Sequence, residues 1–140
     1  MKVTVIAPAN IAFIKYWGQA NHELFIPRNN SISMTMSGCL TTTTIETDKK
    51  LPEDIVEVKF FGKDYQRLDC SSTKEKNIFA QIERIRQLAG SREKARVRSE
   101  NNFPADAGIA SSASGFCALT TALLLVYGFN EKVVDTQELS

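Results

Sequence analysis

A chain of 140 residues with 43% hydrophobic and 24% charged side chains falls in the ordinary globular class, long enough to bury one core. With 17 Lys and Arg against 16 Asp and Glu, the net charge of +1 provides no global field toward nucleic acid, an anionic membrane or acidic substrates, so phosphate recognition must be local. Cys39, Cys70 and Cys117 lack CxxC spacing and His22 is the single histidine, which excludes a zinc site and a disulfide framework and fits a reduced, cytoplasmic setting.

Residues 1–8 lack the apolar run and cleavage site of a signal peptide. Val3, Val5 and Ala7 alternate with Lys2, Thr4 and Ile6, predicting a first strand that Pro8 ends, and the apolar run Ile11 to Trp17 predicts a second. Ser31 to Met36 alternates hydroxyl and apolar side chains, as does a strand with one face in a core. Thr41 to Thr47 is almost wholly β-branched, and Val56 to Tyr65 reads as a strand leading into a turn at Gly62. Ile78, Ile82, Ile85 and Leu88 fall at helical spacing, with Glu83, Arg86 and Gln87 on the other face and Gly90 as the stop. A strand over 95–98 is followed by a loop and a long buried helix from Ala110 to Tyr127, closed by Gly128 and too short to span a bilayer. Asp135 and Glu138 are spaced as the start of one more helix, so the single domain, residues 1–140, is expected to be incomplete at its C-terminal end. No internal repeat or linker is present. The fold expected is α/β in two layers, a mixed β-sheet with helices on one side. Arg84, Arg86, Arg92, Lys94, Arg96 and Arg98 are interrupted by Glu83, Glu93 and Glu100 without interleaved aromatics, which favours a solvated face over a nucleic-acid surface.

Between the last strand and the last helix lies Asn101 to Gly115. Gly108 permits a tight turn, and small residues at the helix start leave four N–H groups open at the positive end of the helix dipole, an arrangement that binds phosphate. Ser111, Ser112 and Ser114 add hydroxyls suited to phosphate oxygens or to the shell of a Mg²⁺ ion that keeps several waters. Tight packing of a small-residue helix start accounts for the same composition, and the residues alone leave both readings open. No Gly-Lys-Ser/Thr follows, so this is not a Walker loop.

Three segments taken in order, Ala7-Pro8-Ala9-Asn10-Ile11-Ala12-Phe13-Ile14-Lys15-Tyr16-Trp17-Gly18, Ile26-Pro27-Arg28-Asn29-Asn30-Ser31-Ile32-Ser33, and Ser99 through Ser114, resemble the amino-terminal half of mevalonate diphosphate decarboxylases. These enzymes are members of the GHMP superfamily of small-molecule kinases. The resemblance runs from Val3 to Ser140, and the family's chains are considerably longer. It implies the amino-terminal domain fold of that superfamily and ATP-dependent decarboxylation of a phosphorylated mevalonate, in which the γ-phosphoryl goes to the tertiary hydroxyl before phosphate and CO₂ leave. ATP and Mg²⁺ are the implied cofactors. Ala107, Gly108, Ser111, Ser112 and Ser114 would hold the ATP phosphates, with Ser99 and Asn101 on the nucleotide side. Lys15 matches the motif lysine near the reacting centre. Asn10, Tyr16, Gly18, Gln19, Arg28 and Ser31 fall on the substrate side, with Trp17 packing beneath Asn10 and Tyr16; Asn30 and Ser33 line the same cleft or simply alternate on a half-exposed strand.

Two departures stand out. The family usually continues Lys-Tyr-Trp-Gly with a second lysine that meets the substrate diphosphate, where this chain has Gln19, and a further basic position aligns with Asn77 or its neighbour Lys76. The lost charge-assisted contact makes weakened diphosphate selectivity the expectation, with mevalonate 5-phosphate as the alternative substrate, and Arg28 is an added charge that offsets part of the loss. The family's substrate arginine and catalytic aspartate fall beyond Ser140. Asp106 is a poor substitute, because a carboxylate beside bound phosphate is repelled, and it is expected to point outward. A second chain or a homodimer is the expected partner; a related kinase that phosphorylates without decarboxylating and a non-catalytic interaction module are the competing classes.

Overall fold

In a computed structural model, which describes residues 1–15, 17–21, 24, 26–104 and 110–129, the alternating first half of the chain forms two long strands instead of four short ones. Strand β1 spans Lys2–Ile14 and β4 spans Ile32–Asp48, with the small strands β2 (Gln19–Asn21) and β3 (Ile26–Pro27) between them. Pro8 does not end β1. It lies on the edge strand of the sheet, where a missing N–H need not break a ladder, and beside an irregularity: Pro8 pairs with Leu40 but Ala9 pairs with Met36. The bulge this creates at residues 37–39 is held by Asn102, whose Oδ1 accepts the Leu40 N–H at 2.7 Å and whose Nδ2 donates to the Gly38 carbonyl at 3.1 Å.

Strands β5 (Ile55–Lys59), β6 (Tyr65–Arg67) and β7 (Lys94–Asn101) complete a five-stranded sheet in the order β1-β4-β7-β5-β6. All neighbours are antiparallel except β5 and β7, which run parallel across the crossover through helix α1 (Thr73–Leu88). The mixed sheet and the helices of its two layers agree with expectation. Ser72 caps α1 by accepting the Glu75 N–H at 3.2 Å. Helix α2 spans Ser111–Val126. Both helices end as the glycines predict: the N–H of the residue after Gly90 reaches Arg86 O at 3.1 Å, the one after Gly128 reaches Leu124 O at 3.0 Å, and the glycines sit at φ +62° and +93°. The helix placed at 135–140 lies outside the described residues.

One face of the sheet, carrying Ile45, Val56, Ala95 and Val97, packs on Ile82, Ile85, Leu119, Ala122 and Leu123 of the helices. Each fully buried Ile or Leu contributes about 1.5–3 kcal/mol. Two expectations for α1 fail. At 3.6 residues per turn the inner face centred on Ile78, Ile82 and Ile85 continues to Ala89, so Leu88 lies to one side and is exposed. Arg86 falls on that inner face and is buried rather than solvated. Its guanidinium meets Asp54 at 2.7 Å and also Glu83, and the hydrogen bond to Asp54 holds its pKa above the ordinary arginine value. Asp54 also accepts the Ala95 N–H at 2.8 Å, tying helix and β7 together.

The opposite face bears Lys94, Arg96 and Arg98 of the basic stretch against acids on neighbouring strands. Lys94 and Arg96 pair in register with Asp48 and Glu46 of β4, while Arg98 and Glu100 pair with Glu57 and Lys59 of β5. No helix among the described residues is long and apolar enough to cross a membrane, and Cys39, Cys70 and Cys117 are free.

Candidate functional site

The end of strand β7 delivers Ser99 and Asn101 to the helix-covered face, in register with Thr43 and Thr41 of β4. Thr43 and Ser99 hydroxyls are 2.8 Å apart, and Thr41 donates to Asn101 Oδ1 at 2.8 Å. Ser114, one turn into α2, is also 2.8 Å from the Thr41 hydroxyl and 3.1 Å from the Ser111 carbonyl. A continuous chain, Asn101–Thr41–Ser114, therefore fixes the start of α2 onto the sheet. Thr41 and Ser114 are 1% and 3% exposed, so the Ser114 hydroxyl lies behind the helix start, whereas Ser112 is exposed and Ser111 half-buried. Ala110 takes the N-cap position at φ 51° without a side-chain cap, and its carbonyl accepts the Ala113 N–H at 3.0 Å. Ala107, Gly108 and Asp106 lie outside the described residues.

Thr41 was not legible as a site residue, because four consecutive threonines (41–44) carry no periodic signal of which ones turn inward. On the outer side of the same strand ends, a cavity of about 570 Å³ opens among Leu40, Thr42, Lys59, Phe61, Glu100 and Asn101. Glu100 accepts the Tyr65 hydroxyl at 3.1 Å and lies 3.7 Å from Lys59. Burial, with the Glu100 hydrogen bond second, raises the Tyr65 pKa.

The substrate-side candidates occupy a separate arm. Beyond the bulge, β7 no longer accompanies β4, and residues 32–36 pair with β1 alone. Asn10 pairs with Thr35 and is exposed, as are Lys15, Arg28 and Ser31. Lys15 makes no ion pair among the described residues. Trp17 corrects an expectation: it is 83% exposed and packs beneath nothing, because no layer of the described chain covers the arm. Phe13, Ile14, Ile32 and Met34 are exposed with it. Gly18 adopts φ +79°, and the Arg28 Cδ comes within 3.6 Å of where a Gly18 Cβ would stand. Gln19 is half-buried and pairs with Pro27. Tyr16 lies outside the described residues. The two groups of candidates share strand β4: Thr35 and Thr41 are six residues apart, at most about 20 Å of strand.

Residues 7–140 match the family model described as the diphosphomevalonate decarboxylase-like N-terminal domain. The diphosphomevalonate decarboxylase of Bos taurus is 37% identical over 151 residues, an alignment covering 95% of this chain and 35% of that one. The crystal structure of mevalonate diphosphate decarboxylase from Staphylococcus aureus superposes with a TM-score of 0.73 at 30% identity, covering 99% of this chain and 39% of the other. A solved structure of MDDEF in complex with MVAPP, AMPPCP and magnesium gives a TM-score of 0.68 at 37% identity, covering 92% of this chain and 37% of the other. The chain thus spans somewhat over a third of the length of these relatives.

Proposed function

The chain belongs to the diphosphomevalonate decarboxylase-like N-terminal domain family, and from that premise we propose that it is the ATP-binding half of a cytoplasmic enzyme that decarboxylates a phosphorylated mevalonate. The observation that carries this is the Asn101–Thr41–Ser114 chain, which fixes a helix start without a side-chain cap against the end of β7. Phosphate oxygens accept from N–H groups at the start of α2, and Ser111 and Ser112, with Ala107 and Gly108 of the motif, complete the cradle. Ser114 acts through Thr41, holding the helix start in place, while Ser99 is held by Thr43.

Magnesium, brought in on the nucleotide with most of its waters, neutralises charge on the phosphates. In the reaction, the mevalonate tertiary oxygen loses its proton to water and takes the γ-phosphoryl as the bond from that phosphorus to the bridging oxygen breaks and ADP leaves. Its C–O bond then breaks to release phosphate, while the electrons of the C–CO₂ bond form the alkene and CO₂ departs. Lys15, exposed just beyond β1, supplies positive charge near the reacting centre, and Asn10, Gly18, Gln19, Arg28 and Ser31, with Tyr16 of the same motif, are assigned to the substrate side. The uncovered arm calls for a second chain or a homodimer.

Gln19 supports a second reading, mevalonate 5-phosphate as substrate. A missing charge-assisted phosphate contact costs about 1.5–3 kcal/mol, about ten- to a hundredfold in affinity, and Arg28 beside Gly18 restores part of it. The test is release of carboxyl-labelled CO₂ from each phosphorylated mevalonate, with ATP, by the polypeptide isolated from its natural source. Equimolar CO₂, ADP and phosphate are expected; phosphorylated product without CO₂ would make it a kinase and refute the reading. A strong preference for the diphosphate would exclude the second reading.

A further inference from the structure

Residues 15–18 leave β1 at Ile14 and enter β2 at Gln19. Side-chain packing does little to hold them, because Lys15, Trp17 and Gly18 are all exposed. Their main chain is met instead by three consecutive residues from the far side of the turn. Pro27 pairs with Gln19, and the Arg28 N–H donates to the Gly18 carbonyl at 3.3 Å. Asn29 does the rest with its side chain: Oδ1 accepts the Trp17 N–H at 3.1 Å, and Nδ2 donates to the Lys15 carbonyl at 3.3 Å and to its neighbour Asn30 at 2.9 Å. A single amide thereby engages both the acceptor of residue 15 and the donor of residue 17, as a paired strand residue would.

We propose that Asn29 is a positioning residue that fixes the direction of the Lys15–Gly18 segment toward the phosphorylated mevalonate, a role that rests on the substrate-side reading above. Asn29 is itself exposed and buries no apolar surface, so its contribution lies in the geometry of this segment rather than in the core. Water competes for each bond. What the clamp supplies is preorganisation: a lysine and a positive-φ glycine already aimed before the ligand arrives.

Trp17 is the single tryptophan of the chain, so nanosecond fluorescence anisotropy reads the clamp directly. Asn29→Ala is expected to increase the local motion of Trp17 and to weaken mevalonate 5-diphosphate binding about tenfold, with ATP affinity and the melting temperature unchanged. Asn29→Asp retains the acceptor for the Trp17 N–H but loses the donor to Lys15. It should keep wild-type anisotropy while still weakening the diphosphate, and it serves equally if the alanine variant folds poorly. Unchanged Trp17 motion in Asn29→Ala, or equal losses for ATP and the diphosphate, overturns the proposal. Wild-type polypeptide isolated from its natural source that binds ATP but neither phosphorylated mevalonate refutes the substrate-side reading, whereas the anisotropy comparison, which needs no ligand, tests the clamp alone.

Discussion

Replacing Thr41 with valine exchanges one hydroxyl for a methyl of similar size at a position that is 1% exposed. The Asn101 oxygen is half-buried and can turn to water, but Ser114, at 3% exposure, keeps only the Ser111 carbonyl. Losing one to two buried hydrogen bonds costs about 1–3 kcal/mol, and the added methyl offsets only a part. For a chain of this size about 2 kcal/mol lowers Tm by about 5–10 °C. Thr43→Val is the matched control, since Thr43 is equally buried and its hydroxyl bonds Ser99 but nothing in α2. Both variants should lose comparable stability in a circular-dichroism melt. Only Thr41→Val should also weaken ATP in a calorimetric titration, about five- to tenfold, because only it loosens the start of α2. Equal affinity losses in the two variants, or none in Thr41→Val, would refute the idea that this chain of hydroxyls sets the phosphate cradle.

Arg86→Met should destabilise the fold by about 3–5 kcal/mol, since it strands Asp54 at 11% side-chain exposure, and a urea titration measures it; a change below about 1 kcal/mol would show the pair to be dispensable. The hydrogen bond from Arg86 holds the Glu83 pKa below its ordinary value, so that contribution is complete above the unfolded glutamate pKa and is lost as pH falls through the lower folded one. Urea midpoints of wild type and Glu83→Gln should converge across that acidic window, and a constant gap down to low pH would contradict the assignment. Gly18→Ala forces a Cβ onto φ +79° beside Arg28, a strain of about 1–2 kcal/mol that should weaken phosphorylated-mevalonate binding about tenfold; unaltered affinity would show the turn to be adaptable. The apolar arm predicts that the chain by itself self-associates in sedimentation velocity and that Phe13→Ser with Met34→Ser reduces it, whereas a monomer at every concentration would count against an arm that needs cover.

Much of the architecture was legible because local signals and the final packing agree. Ile78, Ile82 and Ile85 of α1, the two stopping glycines, and the strand at 95–98 with the helix that follows it required no long-range information. Pro8 misled because edge position, which only the sheet reveals, decides whether a proline ends a strand. Arg86 misled because its partner Asp54 lies 32 residues away, and a residue on the inner face of a helix reads as solvated until such a partner is found. Within the candidate site, the motif segments marked Lys15, Gly18, Asn101 and the serines. Thr41, Asn29 and Asn102 escaped notice because each acts across a long stretch of sequence, through hydrogen bonds whose geometry no spacing rule encodes.

The charges on the open face of the sheet also govern how the sheet is assembled. Strands β5 and β7 meet in parallel only after α1 has crossed over, so their alignment cannot be set by a tight turn. Sliding β5 by one residue would turn Val56 and Val58 out of the core. Sliding it by two keeps the valines inside but sets Glu57 against Glu100 in one direction, or Lys59 against Arg98 in the other. Every near-miss alignment is thus penalised, the odd ones by water and the even ones by repulsion, and the face that takes no part in the core acts as a proofreading code for it.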